Sequence, residues 1–314
     1  MPNSSSTPAG FRPAGKRLFP LNPDQREAAL AWVEFGEHTP RKPRQASSVV
    51  LLKDSPGGLQ TFMTYRSGGS PLGPVAFPGG TVEAADDDVT DWAGPAPAAW
   101  AKNLGTADIG LAKRHVVAAI RELFEETGIL LAGPDASSLV EGNSGPEWMR
   151  ARVSIASQEN TFASVLKRYG LVLRTDLLKS LSHWTSPDFA HRRFDTRYFA
   201  AANPVNQEAS LLENKGLWGR WVTAAEVLKD RHNSALGDEI NLPATRGVVL
   251  GELLVPSVEI ILEKIAAARG CIAYLNHTRA INEYQPKLVA GAGSTFSLEV
   301  ATAPLSEGAP CRER

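Results

Sequence analysis

The chain has 314 residues, 43% hydrophobic and 21% charged, enough to bury one sizeable core. Thirty-three basic against thirty-four acidic side chains leave a formal charge of −1, so no global field draws the protein to nucleic acid or to an anionic membrane, and any phosphate recognition has to be local. Two cysteines, Cys271 and Cys311, are too few for a disulfide framework, and no run approaches the roughly eighteen apolar residues of a membrane span. The expectation is a cytoplasmic protein.

Residues 1–22 are rich in Ser, Pro and Gly and are expected to be disordered. NPDQREAALAWVEFGEH follows with an Asn-Pro start signal and apolar Ala28, Ala29, Trp32 and Val33, which predicts a short amphipathic helix. SSVVLLK (47–53) and QTFMTYR (60–66) read as strands joined by the turn DSPGG. A long helix is expected to begin near Asp108 and to end at Gly128, where a left-handed residue would stop it. Its stripe of Val116, Ile120, Leu123 and Thr127, edged by Ala119 and Phe124, would pack on a core. Downstream, SQENTFASVLKRYGL reads as a helix, RFDTRYFAA (193–201) and LWGRWVT (217–223) as strands, AAEVLKD as a short helix, and VPSVEIILEKIAAARG (255–270) as a longer one closed by glycine. After about residue 290 the composition returns to low complexity.

The long helix ends in RELFEETGI, residues 121–129. Glu122, Glu125 and Glu126 stand at i, i+3 and i+4, so they share one face, pointing away from the apolar stripe, and repel one another by a few tenths of a kcal/mol per pair. Arg121 can pair with Glu125 four residues on, but no second cation lies nearby in sequence. The missing positive charge has to come from elsewhere. Upstream stands GPVAFPGGTVEAAD, residues 73–86.

Together the two segments resemble the Nudix box, whose pattern is glycine, five residues, glutamate, seven residues, then Arg-Glu-apolar-any-Glu-Glu-any-Gly-apolar. The second half matches at every fixed position: Arg121, Glu122, Leu123, Glu125, Glu126, Gly128 and Ile129. The first half departs twice. Five residues lie between Gly80 and Asp86, an acid shorter than the usual glutamate, and 34 residues (87–120) stand where the pattern has seven, an insertion of 27. With FPGG, TYRS, HWTSP, RFDTRYF and ELLVPSVEIILEKI, this wording resembles the peroxisomal-type coenzyme A diphosphatase branch, over roughly residues 45–270.

The resemblance implies an α/β (α+β) protein: a Nudix-type α/β/α sandwich with a mixed sheet, plus an N-terminal helix and a C-terminal helical extension. The Nudix domain would run over 23–270, with 271–314 as extension and tail. It implies hydrolysis of a pyrophosphate linkage with Mg²⁺ or Mn²⁺ as cofactor, hard cations that prefer carboxylate and carbonyl oxygens. The metal ligands would be Glu122, Glu125, Glu126 and the carbonyl of Gly80. Glu122, or a glutamate from the loop NQEASLLENKGLWGRWV, would take the proton of the attacking water; in that loop Glu208 and Glu213 are both candidates, with Glu213 favoured. Arg121 would orient the glutamates. Arg66 reads either as a grip for substrate phosphate or as a strand-end arginine paired on the surface, and Gly79 and Gly80 as a turn that also approaches substrate.

The expected partner is a small nucleotide-diphosphate substrate, with coenzyme A or an acyl-CoA leading; NADH, ADP-ribose and nucleoside triphosphates stay open, as does a nucleotide-sensing module without turnover, whereas an isomerase on the same fold would need a cleft cysteine and Cys271 and Cys311 lie beyond the core segments. The acyl-CoA fingerprint is incomplete, because TYRSGGSPLG lacks a second arginine. Arg193, Asp195 and Arg197 alternate along a strand and read as a self-satisfied ion network. His183, Asp188 and His191 match no zinc spacing. Trp92 and Trp100 in the 87–120 segment are expected to pack on the body, on a partner in a homodimer, or over the substrate.

Overall fold

The computed structural model describes residues 15–36, 38–66, 72–212, 216–291 and 295–302. Strand β1 (Gly15–Pro20) leads into helix α1 (Pro23–Phe35), whose Asn22 and Gln25 form a reciprocal capping box that fixes its start. The hairpin β2 (Arg44–Ser55) and β3 (Gly58–Tyr65) follows, then the short strands β4 (Val75–Ala76), β5 (Gly79–Thr81) and β6 (Trp92–Ala93). Helix α2 (Pro97–Leu104) precedes the long helix α3 (Ile109–Thr127). Next come β7 (Ala132–Gly133), α4 (Pro146–Ala156), α5 (Phe162–Tyr169), β8 (Val172–Arg174), β9 (Lys179–Thr185), β10 (Phe194–Ala202) and β11 (Trp218–Thr223). Helices α6 (Ala224–Lys229), α7 (Ala235–Ile240), α8 (Leu250–Leu253), α9 (Pro256–Ala266) and α10 (Cys271–Asn276) lead to the strands β12 (Glu283–Tyr284), β13 (Lys287–Ala290) and β14 (Phe296–Thr302).

The central sheet is mixed, in the order β11-β3-β2-β10-β9-β12, with β4 on β3 and β5 on β2. β2 runs parallel to β10 and antiparallel to β3. Because side chains alternate across a strand, the continuous apolar run of β2 serves two cores. Val49 and Leu51 join Phe62 and Phe199 against Val116, Ile120 and Leu123 of α3; Val50 and Leu52 join Met63 and Ala200 against Val258, Ile261 and Ile265 of α9. The result is helix, sheet, helix, the expected class of fold.

Two expectations are corrected here, and one choice left open is narrowed. Gly15–Pro20, expected within a disordered segment, forms β1 in antiparallel register with β14, which itself arises from the low-complexity tail. Arg17 anchors that small sheet on α9 through Glu263 and Glu259. The 87–120 segment is structured: from Ile109 onward it is α3 itself, and before that Trp100 of α2 is buried against Phe199, its Nε1 donating to Thr175 Oγ1 at 3.4 Å. The body of the protein is therefore where Trp100 packs. Arg193, Asp195 and Arg197 do not form a closed hydrogen-bonded network: Arg193 donates to Asp188 at 2.7 Å, Asp195 pairs with His183, and Arg197 donates to the carbonyl of Leu104 at 2.8 Å, with only the Asp195 and Arg197 charges favouring each other. Nearby acceptors outside the strand outcompete neighbours two residues away.

Candidate functional site

Helix α3 is fixed at both ends by its own sequence. The Asp108 carboxylate accepts from Leu111 N–H at 2.8 Å, and Gly128 at φ 76° donates to the carbonyl of Phe124. This places the last two turns, with Arg121 and the three glutamates, beside β5. There Gly79 and Gly80 pair with Ser48 and Ser47 of β2. The approach is close: a Cβ on Gly80 would lie 2.4 Å from Oε1 of Glu122, and the backbone N–H of Gly79 donates to Oε2 of Glu126 at 3.3 Å. Only glycine leaves room for a carboxylate against the strand.

The glutamates do not face open solvent, as a solvated polar face would. Glu122, Glu125 and Glu126 are only 5%, 3% and 4% exposed. Burying this much negative charge requires compensation, and two arginines supply it. Arg121 Nη1 donates to Glu122 Oε1 at 2.8 Å and to Glu125 Oε1 at 2.9 Å; its Nε and Nη2 grip Asp86 at 2.8 and 3.2 Å, and Nη2 also reaches the carbonyl of Thr81 at 2.7 Å. Burial opposes the charge on this guanidinium, but Glu122, Asp86 and Glu125 more than offset it and hold its pKa above the ordinary arginine value. The second cation is Arg66, which follows β3 and pairs with Glu126 Oε2. It is the charge that the helix lacks locally, delivered from a strand 60 residues away in sequence.

A third arginine works through the backbone. Arg152 of α4, 1% exposed, donates to the carbonyl of Glu125 from Nε and Nη2 at 3.3 and 3.2 Å, and to Ser210 through its carbonyl at 2.8 Å and its hydroxyl at 3.0 Å. Burial lowers its pKa to about 10, while Glu126 pulls the other way. With Asn143, which bonds Gly128 and Glu208, it ties the 203–212 segment to the end of α3. Sequence reasoning missed both residues; the signal for α4 was Pro146 after Gly145 with Glu147 in the first turn.

The structure thus brings Arg66, Gly79, Gly80, Arg121, Glu122, Glu125 and Glu126 to one place, together with Asp86. Glu208 is exposed, its backbone held by Asn143. Glu213 lies outside the described residues. Cys271 is buried at the start of α10, where its N–H donates to Asp54 at 2.9 Å, away from these acids.

In kind, the donors fit a hard divalent ion: carboxylate oxygens on one helical turn and a glycine backbone that admits them. Among the described residues, however, no three Asp, Glu, His or Cys side chains are already gathered around a common point. The carboxylates are instead turned onto Arg66 and Arg121.

No protein-family model matches the chain, and no curated protein does. Among solved structures it is similar to a NUDIX hydrolase from Alicyclobacillus acidocaldarius, with a TM-score of 0.57 and 20% identity over 75% of this chain and 96% of that one. An Ap4A hydrolase from C. elegans aligns at TM-score 0.30 and 14% identity over 63% of this chain and 92% of that one. The MutT protein of Bacillus halodurans aligns at 0.33 and 10% identity over 81% and 94%. Of these three, the first is similar enough to establish the architecture, and the chain has the Nudix-type fold.

Proposed function

We propose that the protein is a Mg²⁺- or Mn²⁺-dependent hydrolase of a pyrophosphate linkage in a nucleotide derivative. The observation that carries this reading is the contact of the glycine elbow with the acidic turn, where Gly80 has no room for a side chain beside Glu122. Glu122, Glu125 and Glu126 with the carbonyl of Gly80 would hold the metal, which when bound neutralises the diphosphate and lowers the pKa of a coordinated water. The chain's own groups then have separable tasks. Arg121, fixed by Asp86, holds Glu122 and Glu125 in position. The Gly79 N–H and Arg66 offer donors for phosphate oxygens. Glu122, or Glu213 from the later loop, accepts the proton of the attacking water.

Coenzyme A or an acyl-CoA is the substrate we favour, on the wording of FPGG, TYRS and HWTSP; the products would be 3′,5′-ADP and the (acyl)phosphopantetheine. The test is product identification by mass spectrometry after incubation with CoA, acyl-CoA, NADH and ADP-ribose at raised Mg²⁺. Release of the two phosphorylated halves from one of them is expected. Glu126→Gln is expected to lower that turnover by about two orders of magnitude or more with circular dichroism unchanged. Nucleotide retained without cleavage at any Mg²⁺ or Mn²⁺ level would overturn the hydrolase reading in favour of a sensing module.

A further inference from the structure

The two arginines at the acidic turn are held differently. Arg121 is fully engaged: Nε, Nη1 and Nη2 all donate, to Asp86, Glu122, Glu125 and the carbonyl of Thr81. Arg66 is not. Its Nη2 serves Glu126 Oε2, with a long 3.4 Å contact to the carbonyl of Phe77, while its Nε is buried without a hydrogen-bond partner. A buried guanidinium with an unserved N–H gives up less than a fully served one when it departs. Glu126 Oε2 also receives the Gly79 N–H, so Arg66 occupies the carboxylate oxygen nearest the glycine elbow.

From this asymmetry we infer that Arg66 is an exchangeable counter-cation: it occupies Glu126 in the metal-free protein and has to leave that carboxylate before a divalent ion can be held there. The inference rests on the metal-dependent reading above. It accounts for acids of the right kind that are not yet gathered around one point. Two cations cannot both use one carboxylate oxygen at close range, so Arg66 and the ion compete, and linkage makes the competition reciprocal. Arg121 stays in place throughout. Once released, the Arg66 fork would offer donors suited to a phosphate oxygen.

The experiment is Mn²⁺ binding to the full chain without nucleotide, followed by electron paramagnetic resonance, for the wild type, Arg66→Gln, Glu126→Gln and the double variant. Arg66→Gln is expected to bind Mn²⁺ about fivefold more tightly or better, and the gain should vanish in the Glu126→Gln background. Mn²⁺-loaded Arg66→Gln should also bind inorganic pyrophosphate more weakly than wild type. Equal or weaker Mn²⁺ binding by Arg66→Gln overturns the inference, as does a gain that persists without Glu126, because general charge and not exchange would then explain it. Absence of Mn²⁺ binding in every form removes the metal reading itself, a distinguishable result. Arg66→Met carries the same test if the glutamine variant does not fold.

Discussion

Asp86 shows how a single side chain can decide whether buried charge is tolerable. It stands where the Nudix pattern has a glutamate, yet its carboxylate meets Arg121 with two oxygens, at 2.8 and 3.2 Å, and one of them also accepts the N–H of Glu83 at 2.8 Å. The shorter acid thus closes its own turn and locks the guanidinium that serves Glu122 and Glu125. Asp86→Ala would strand two donors of a buried cation that keeps its other partners, so the loss is set by charged hydrogen bonds, about 2–3 kcal/mol. Urea unfolding should show a lower midpoint at unchanged slope. A shift worth under about 0.5 kcal/mol would mean that Arg121 is held without Asp86. Asp86 was visible in the sequence only by counting from Gly80; that it pairs with Arg121, 35 residues on, was not.

At the scale of elements, the two glycines of β5 make opposite predictions. An added Cβ at Gly79 would meet backbone, the Ser47 carbonyl oxygen at 2.4 Å and Ser48 Cα at 2.7 Å, whereas at Gly80 it would meet the movable end of Glu122. Gly79→Ala is therefore expected to destabilise the fold, by about 1–3 kcal/mol as in overpacked cores. Gly80→Ala should leave the melting temperature nearly intact but displace Glu122 and depress turnover. Thermal denaturation beside a product assay separates them, and equal stability losses would refute the distinction. The same scale shows what the sequence made legible. The ends of α3 were readable because Asp108 and Gly128 act locally, and so was the β2–β3 hairpin, whose apolar runs flank a Pro-Gly-Gly turn. β1 and β14 were not: β1 is a strand because β14 lies beside it, with Arg17 opposite Val300, and β14 is held between β1 and β13. Within β1 only Phe19 is buried, too little apolar pattern to announce a strand. The glutamates on α3 were assigned to one face correctly, but their burial depends on β5 and Arg66, which no helical wheel contains.

For the molecule as a whole, the two-sided core seals a titratable ring of α3 against β2. His115 is 1% exposed, its Nδ1 3.0 Å from Ser47 Oγ and its Nε2 3.0 Å from Gln45 Oε1. Burial first, and then the Arg197 charge, lower its pKa from 6.5 to about 3, against an opposing pull from Asp195. The ring is consequently neutral in the fold, whereas in the unfolded chain it takes up a proton below about pH 6.5. Between those two values the unfolded state binds more protons, so stability falls as pH falls, and the contribution is fully present only above about pH 6.5. At 1.36 kcal/mol per unit, acidification from pH 7 to 4.5 should cost on the order of 3 kcal/mol through this residue alone. His115→Gln replaces the ring with a group that cannot titrate, and although it disturbs packing, that cost is common to both pH values. The stability difference between pH 7 and 4.5, measured by urea unfolding, should shrink in the variant by about this amount, and the wild-type His115 ring resonance should show no protonation down to about pH 4. If the two proteins lose stability in parallel on acidification, His115 has the same pKa in the folded and the unfolded chain, and burial does not keep its ring neutral.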